Sequence, residues 1–427
     1  MTSSPAVAGR YLESLSYADY RRLFLSTSGA GLANWTLIVG RGWLAYELTA
    51  SSTWVGVVSF AGFLPFVLGP IGGVLADRYE RRRLAAASTA FGFAFSLLLA
   101  VLTLAGAIEA WQLALLTVAM SLPRAAELPA RQALISNTVP EAALVNAVSL
   151  SSVATFGTRA VGPAVVIPMI DTLGVEGVFL LAAGFYALSS LAVLRIGASV
   201  LPGSARRSTA LEDLREGLAY VLHTPSVATL MLLVMFHCAL TMSFDSLLPV
   251  FAVQRLESHG GANFSMLAMG VGAGALAGSL YTGGIRGASA GRMLLLFAVV
   301  SGLSPMLMGL PMHLMSLPVA LAGTFTMGAS QAAFMALCGA MVQSAAPDAL
   351  RGRVMSFYLL FAGGLMAWVN LINGALADIW HVPLLFLAPA ALYLALLAGM
   401  YVVRLPLRHI FRDGRLAAVR TDLVAVP

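Results

Sequence analysis

Three ionisable residues, Arg124, Glu127 and Arg131, stand inside one long apolar run. On a helix this i, i+3, i+7 spacing puts all three on one face, so that Glu127 reaches either arginine. Arg41, Arg159, His237 and Asp245 are likewise isolated in apolar surroundings. An arginine or aspartate at the centre of a lipid-embedded helix costs about 2.5 to 3.5 kcal/mol, so each needs a partner or a water-filled space. The chemistry open to such a set is proton binding and release by Glu127 or Asp245, and recognition of a charged solute by Arg41, Arg124, Arg131 or Arg159. A structural ion-pair cluster accounts equally for the spacing in Arg124, Glu127 and Arg131. Hydrogen-bonded packing accounts equally for His237 and Arg159.

The elements that position these groups must be membrane helices. Of the 427 residues 59% are hydrophobic and 10% charged, too little polar surface to cover a soluble body of this size. Apolar runs of 18 residues or more recur along the whole chain, each long enough to cross a hydrocarbon core. Cutting at charged and Gly/Pro punctuation gives twelve spans, near residues 22–48, 53–76, 84–107, 111–137, 142–169, 174–195, 225–252, 262–285, 291–311, 315–345, 352–377 and 382–404. Pro123 and Pro129 are expected to bend span four beside its charges. The polar opening segment, with Glu13 and Asp19, lacks the order of a cleaved signal peptide and reads as a short cytoplasmic arm.

The segments that would face the cytoplasm carry Arg10, Arg21, Arg22, Arg78, Arg81 to Arg83, Arg206, Arg207, Arg215, Arg286, Arg292, Arg351, Arg353 and the tail arginines, whereas the opposite loops carry Arg255 alone. This asymmetry predicts a multi-pass protein of a bacterial plasma or inner membrane with both termini cytoplasmic. The basic residues are scattered singly over short loops, which argues against a nucleic-acid surface. Cys238 and Cys338 fall inside spans and read as small packing residues. There is no metal cluster, nucleotide-binding loop or Ser-His-Asp order, so the sequence implies no cofactor and no enzyme. Gly270, Gly274 and Gly278 recur every four residues as a close-packing stripe.

The longest internal linker divides the spans six and six. This gives residues 1–196 as an N-terminal six-helix bundle, 197–224 as a cytoplasmic linker, 225–404 as a C-terminal six-helix bundle and 405–427 as a cytoplasmic tail. In the linker, Leu211, Leu214, Leu218, Val221 and Leu222 share one helical face, predicting an amphipathic helix along the membrane surface. VPEAALVNAVS from Val139 and APDALRGRVMS from Ala346 repeat a Pro-acid opening at an offset of 207 residues, as expected of two duplicated halves. The same offset carries Arg41 to within a turn of Asp245, predicting that they pair across the outer gate and that Asp245 takes a proton when they separate.

Between spans two and three the chain reads GGVLADRYERRR, Gly72 to Arg83. Gly73, Leu75, Ala76, Asp77, Arg78, Arg81 and Arg82 fall on a pattern that resembles the cytoplasmic signature loop of the major facilitator superfamily, with Glu80 in place of its second glycine. LPARQALISNTVP, RAVGP at Arg159 to Pro163, LEDLREGLAYVLHTP and LRGRVMS extend the likeness over nearly the whole chain. They are similar to the branch that contains bacterial siderophore exporters and 12-span drug and macrolide efflux proteins. Gly162 and Pro163 match part of the antiporter signature of the fifth helix, while Val166 and Ile167 replace its paired glycines.

The resemblance implies an all-α membrane protein of 12 transmembrane helices in two pseudosymmetric bundles, with Asp77, Arg78 and Arg81 latching the halves on the cytoplasmic side. Gly73, Gly162 and Pro163 would serve as hinge or packing positions. The implied activity is proton-coupled efflux of amphiphilic or drug-like small molecules by a monomer working through alternating access. Alternatives are siderophore export, lysophospholipid transport, or a receptor or scaffold that no longer transports. The partners expected are a small-molecule substrate, protons and the lipid bilayer.

Overall fold

A computed structural model of the chain describes residues 12–197, 210–256, 261–283, 285, 288–309, 316–347, 350–403 and 405–413, and the side chain of Asp77 lies outside what it describes. Among the described residues every regular element is a helix. Span one is α1 (Ala18–Thr49), span two α2 (Ser52–Val67) and α3 (Gly69–Arg78), span three α4 (Arg81–Leu104), and span four α5 (Ala110–Ser121) and α6 (Arg124–Thr138). Spans five and six lie within one 51-residue stretch, α7 (Leu144–Leu194). A short α8 (Ala210–His223) precedes span seven, which is α9 (Pro225–Thr241) and α10 (Leu248–Leu256). Spans eight to twelve are α11 (Ala262–Thr282), α12 (Ala288–Met308), α13 (Leu317–Ala345), α14 (Arg351–Ala377) and α15 (Val382–Val403), followed by α16 (Leu405–Asp413).

The long α7 is a hairpin of two spans. Gly174 sits in it at φ 69° and ψ −172°, a conformation only glycine adopts without strain. Contacts with α1 show the reversal. Tyr20 meets Ala147, Gly31 meets Thr158 and Trp35 meets Gly162, so the first half of α7 ascends with α1. Ser26 meets Ser189, Gly29 meets Phe185 and Gly40 meets Val178, so the second half descends. Among the described residues eight helices are long and apolar enough to cross a membrane, or up to ten with each bent pair taken as one, and the remaining helices, with α7 read as two spans, fall on the twelve segments that the hydropathy pattern marks.

Three spans depart from straight rods. Span two bends by 46° where α2 gives way to α3 at Leu68 and Pro70. Span four breaks at Leu122 and Pro123, as the proline predicts, whereas Pro129 is carried inside α6. Span seven, expected as one rod, is unwound between Met242 and Leu247.

The linker helix α8 turns into α9 at 101°, as required of a helix lying across a bundle end. Its expected apolar face divides: Val221 is buried while Leu218 and Leu222 stay exposed, and the Tyr220 hydroxyl donates to Ala345 O at 2.8 Å. Beyond span twelve, α16 is packed onto the second half through Leu407, Ile410 and Phe411, so the tail begins with an ordered helix. The glycine stripe of span eight lies against span ten, with Gly274 over Phe325 O and Gly278 over Ala329 O.

The halves are sealed at the arginine-poor end. Gly56 of span two and Gly374 of span eleven meet backbone to backbone: a Cβ on Gly374 would stand 2.6 Å from Ser52 O and 2.7 Å from Gly56 Cα. Phe60 packs on Trp368 with ring centroids 4.7 Å apart, and Gly272 of span eight lies against Arg159 O of span five near mid-depth. Towards the arginine-rich end, Gln132, Ser136, Ser149, Ser152 and Thr155 of spans four and five are exposed. The hydroxyls of Ser136, Ser152 and Thr155 donate to carbonyls of their own helices, and spans two and eleven still approach on this side, where a Cβ on Gly69 would stand 3.9 Å from Ser356 O.

The seal is closed by one carboxylate. Asp378, just past the end of α14, accepts hydrogen bonds from Ser51 Oγ (2.7 Å), Ser52 N (2.6 Å), Thr53 N (3.0 Å) and Thr53 Oγ1 (2.6 Å). It caps the first turn of α2 from the other half of the molecule. Partial burial disfavours its ionised form, but the bonds from Thr53, Ser51 and the two backbone N–H groups outweigh this and hold the carboxyl below its ordinary pKa. The contact is therefore present above the usual carboxylate pKa and is lost only as pH falls through the lowered value. Asp378→Ala is expected to cost the sealed state about 1 kcal/mol, roughly a fivefold shift in population, read as faster modification of a cysteine placed at the buried Ser52.

Candidate transport site

Arg41 and Asp245 line one small cavity between the halves, together with Ile38, Val58, Gly62 and Phe63. Asp245 also lines a second, with Trp35, Arg159, Pro163, Phe244 and Phe264. At ≈ 40 and ≈ 20 Å³ they hold a few waters and no larger solute. Asp245 thus stands between two arginines of the first half. The expected Arg41–Asp245 contact is not made in this conformation: among the described residues Asp245 has no ion pair within 4 Å, and Arg41 donates Nε to Leu37 O of its own helix at 3.2 Å. The groups share a cavity without touching. Arg41 is buried, and the Arg159 guanidinium lies over the Trp35 ring, 4.9 Å from its centroid.

Asp245 reaches the cavity because span seven is unwound around it, and the second half supplies the partners that the broken helix lacks. Gln331 Nε2 donates to Thr241 O at 2.6 Å, and Asn373 Nδ2 donates to Ser243 O at 2.6 Å. Asn370 Oδ1 accepts from Ser246 N at 3.3 Å. Freed backbone groups at membrane depth persist only when satisfied in this way. Gln331, Asn370 and Asn373 are therefore positioning residues, and sequence reasoning missed them. Their signal was three amides inside apolar runs, a weaker one than a formal charge.

Glu127 and Arg131 are buried inside the first half, away from both cavities. Arg131 Nε donates to Glu127 Oε1 at 2.6 Å, and Ser88 Oγ donates to Glu127 Oε2 at 2.5 Å. Arg131 also bonds Ser26 Oγ at 2.9 Å and Ser189 Oγ at 3.3 Å, tying span four to spans one and six. Arg124 donates to Asn34 Oδ1. The shared face predicted for the three charges exists, and it looks into the bundle.

His237 is placed elsewhere than in the cavity. It is fully buried in the second half, stacked on Phe334 with centroids 3.8 Å apart, with Nε2 2.8 Å from Ser301 Oγ. Trp35 and Phe244 line the second cavity, whereas Met327 and Phe334 are core and Phe325 is exposed.

The remaining candidates are packing and loop positions. Gly162 lies against Trp35, and Pro163 lines the second cavity. Gly73 has open space beside it, and the close approach near the signature loop is made instead by Gly72, over Ala125 O of span four. Arg78 is exposed in the last turn of α3 and Arg81 opens α4, whereas the Asp77 side chain lies outside the described residues.

The family model described as transmembrane secretion effector matches residues 11–417. The chain belongs to this family. Its relatives are transporters of the major facilitator type. The multidrug efflux pump Tap of Mycolicibacterium fortuitum is 29% identical over 397 residues, covering 89% of this chain and 93% of Tap. The transporter YfiS of Bacillus subtilis (strain 168) is 29% identical over 48% of this chain and half of its own length. The staphyloferrin A transporter of Staphylococcus aureus is 26% identical over 51% of this chain and 55% of its own length. Among solved structures, a mutant of the nucleoside transporter NupG superposes with TM-score 0.74 at 12% identity, covering 90% of this chain and 100% of NupG. A POT family transporter in complex with 5-aminolevulinic acid superposes with TM-score 0.71 at 15% identity, covering 92% and 96%. Family and fold agree: this is a multi-pass membrane transporter of the major facilitator type, with no enzyme among the relatives.

Proposed function

We propose that the protein exports amphiphilic small molecules by alternating access, driven by protons entering in the opposite direction. The carrying observation is Asp245, held on an unwound turn in the space between the halves and facing Arg41 and Arg159 without an ion pair. A carboxylate so placed changes its proton affinity as the arginines approach or recede, which is what coupling requires. The likeness to Tap along nearly its whole length supports efflux, and the asymmetry of the loop arginines supports cytoplasmic termini. In that orientation the Gly56–Gly374 contact and Asp378 form a closed outer gate, and the loop of Asp77, Arg78 and Arg81 lies at the inner end.

The test is flux in proteoliposomes under an imposed pH gradient. Asp245→Asn is expected to reduce gradient-driven flux at least about tenfold and to leave exchange without a gradient much less affected. Unchanged flux with unchanged pH dependence would remove Asp245 from the coupling path. Glu127→Gln in the same assay asks whether the second buried carboxylate couples or only packs.

A further inference from the structure

We propose that the space between the halves binds amphiphilic organic anions, with an acid group held between Arg41 and Arg159 and an apolar or aromatic body against Trp35, Phe63, Phe244 and Phe264. This rests on the transporter reading above and names its solute class. Among the described residues, the interior of the spans holds four arginines, Arg41, Arg124, Arg131 and Arg159, against two carboxylates, Glu127 and Asp245. Glu127 is taken by Arg131, and Arg124, still charged and bonded to the neutral amide of Asn34, lines neither cavity. That leaves Arg41 and Arg159, which line neighbouring cavities that both include Asp245, so the space between the halves has one positive charge in excess.

Both guanidiniums keep donors free for a ligand. Arg41 is only 5% exposed, and its described hydrogen bond uses Nε alone, leaving both terminal amino groups without a described partner. The Arg159 guanidinium carbon lies over the Trp35 ring, 4.9 Å from its centroid, and no hydrogen bond is described for its N–H groups. A buried guanidinium without a counter-charge is strongly unfavourable, and an acid group presenting two oxygens relieves it with bidentate geometry. A cationic solute would meet two like charges in a low-dielectric space, and a neutral one would leave the excess charge uncompensated. The aromatic lining supplies the surface for the rest of the molecule. In the conformation described the two cavities are too small for such a solute, so binding accompanies separation of the halves towards the arginine-rich end.

The test is equilibrium dialysis of the purified full-length protein against three probes sharing one body: 1-pyrenebutyrate, its primary amide, and the corresponding trimethylammonium cation. The acid is expected to bind at least about tenfold more tightly than the amide, with the cation weakest, and Arg41→Gln or Arg159→Gln should bring the acid-to-amide ratio towards one. Arg→Lys at either position should retain part of the preference. Equal binding of all three probes, a preference for the cation, or an acid preference intact in the double Gln variant would overturn the proposal. Should a variant fail to fold, the wild-type ranking alone still decides. Flux of the same probes in proteoliposomes separates the two readings. Acid-selective binding without flux of any probe contradicts transport and not this inference, and flux of the cation alone contradicts this inference and not transport.

Discussion

Replacing Arg131 by methionine is expected to destabilise the protein by about 3 to 5 kcal/mol, because it leaves the Glu127 carboxylate buried without its counter-charge. Glu127 is 4% exposed, and the 2.6 Å bond from Arg131 Nε is its direct ion pair. The loss extends beyond the pair, since Arg131 also donates to Ser26 and Ser189 and so ties three spans together. Removing both charges, in Glu127→Gln with Arg131→Met, should recover most of the stability, as replacing a buried ion pair by neutral groups of similar volume usually does. The measurement is unfolding of detergent-solubilised protein for the two single variants and the double. The same variants settle whether Glu127 has a second duty. A stable double variant that transports with normal pH dependence makes the cluster structural, and one that folds but no longer couples makes Glu127 part of the proton path.

Gly374→Leu is expected to abolish transport, by at least about tenfold in flux, while still yielding folded protein. The contact it disturbs involves backbone atoms of span two, Ser52 O and Gly56 Cα, which cannot move aside as a flexible side chain can. A conformation in which spans two and eleven part at the arginine-poor end escapes the clash, so the variant should be trapped with that end open. Gly374→Ala should show a smaller effect of the same sign. Faster labelling of a cysteine placed at the buried Ser52, with expression unchanged, distinguishes trapping from misfolding. Loss of the protein from the membrane would instead make the glycine a requirement of folding.

The fold was largely legible in the sequence because bilayer thickness converts hydropathy directly into span number. Pro123 also announced its break, whereas Pro129, expected to bend the same span, is carried inside a helix, and only a gap between two apolar runs marked the turn at Gly174. The interior charges were legible as functional candidates because few explanations tolerate Arg41, Arg159 or Asp245 in lipid. What the sequence concealed was which helix face each group uses. In a membrane helix the lipid-facing and core-facing sides are both apolar, so periodicity gives no direction: His237 went to the core, Phe325 to the periphery and Asp245 to the cavity. The unwinding of span seven was hidden for a related reason. No glycine marks Met242 to Leu247, and the partners that stabilise the break, Gln331, Asn370 and Asn373, come from spans ten and eleven.

The outer seal had a signal that was passed over. GVLAD at Gly73 to Asp77 recurs as GALAD at Gly374 to Asp378, at the far end of span eleven. In the second copy the glycine admits the partner helix and the aspartate caps it, so two jobs that a membrane gate requires are written into five residues. A carboxylate on one half capping a helix of the other is reversible at low cost. Its bonds are to N–H and O–H groups that water can satisfy when the halves part.

The central claim is that the two halves exchange access at opposite ends around a common cavity. Spin-label distances test it most directly, measured on one pair across the arginine-poor end, Leu48→Cys with Ile379→Cys, and one across the arginine-rich end, Val148→Cys with Leu280→Cys, all four positions being exposed. Alternating access predicts that a transported solute or a change of pH lengthens the first distance as it shortens the second. Two distances that stay fixed under every condition, or that change in the same direction, would contradict it.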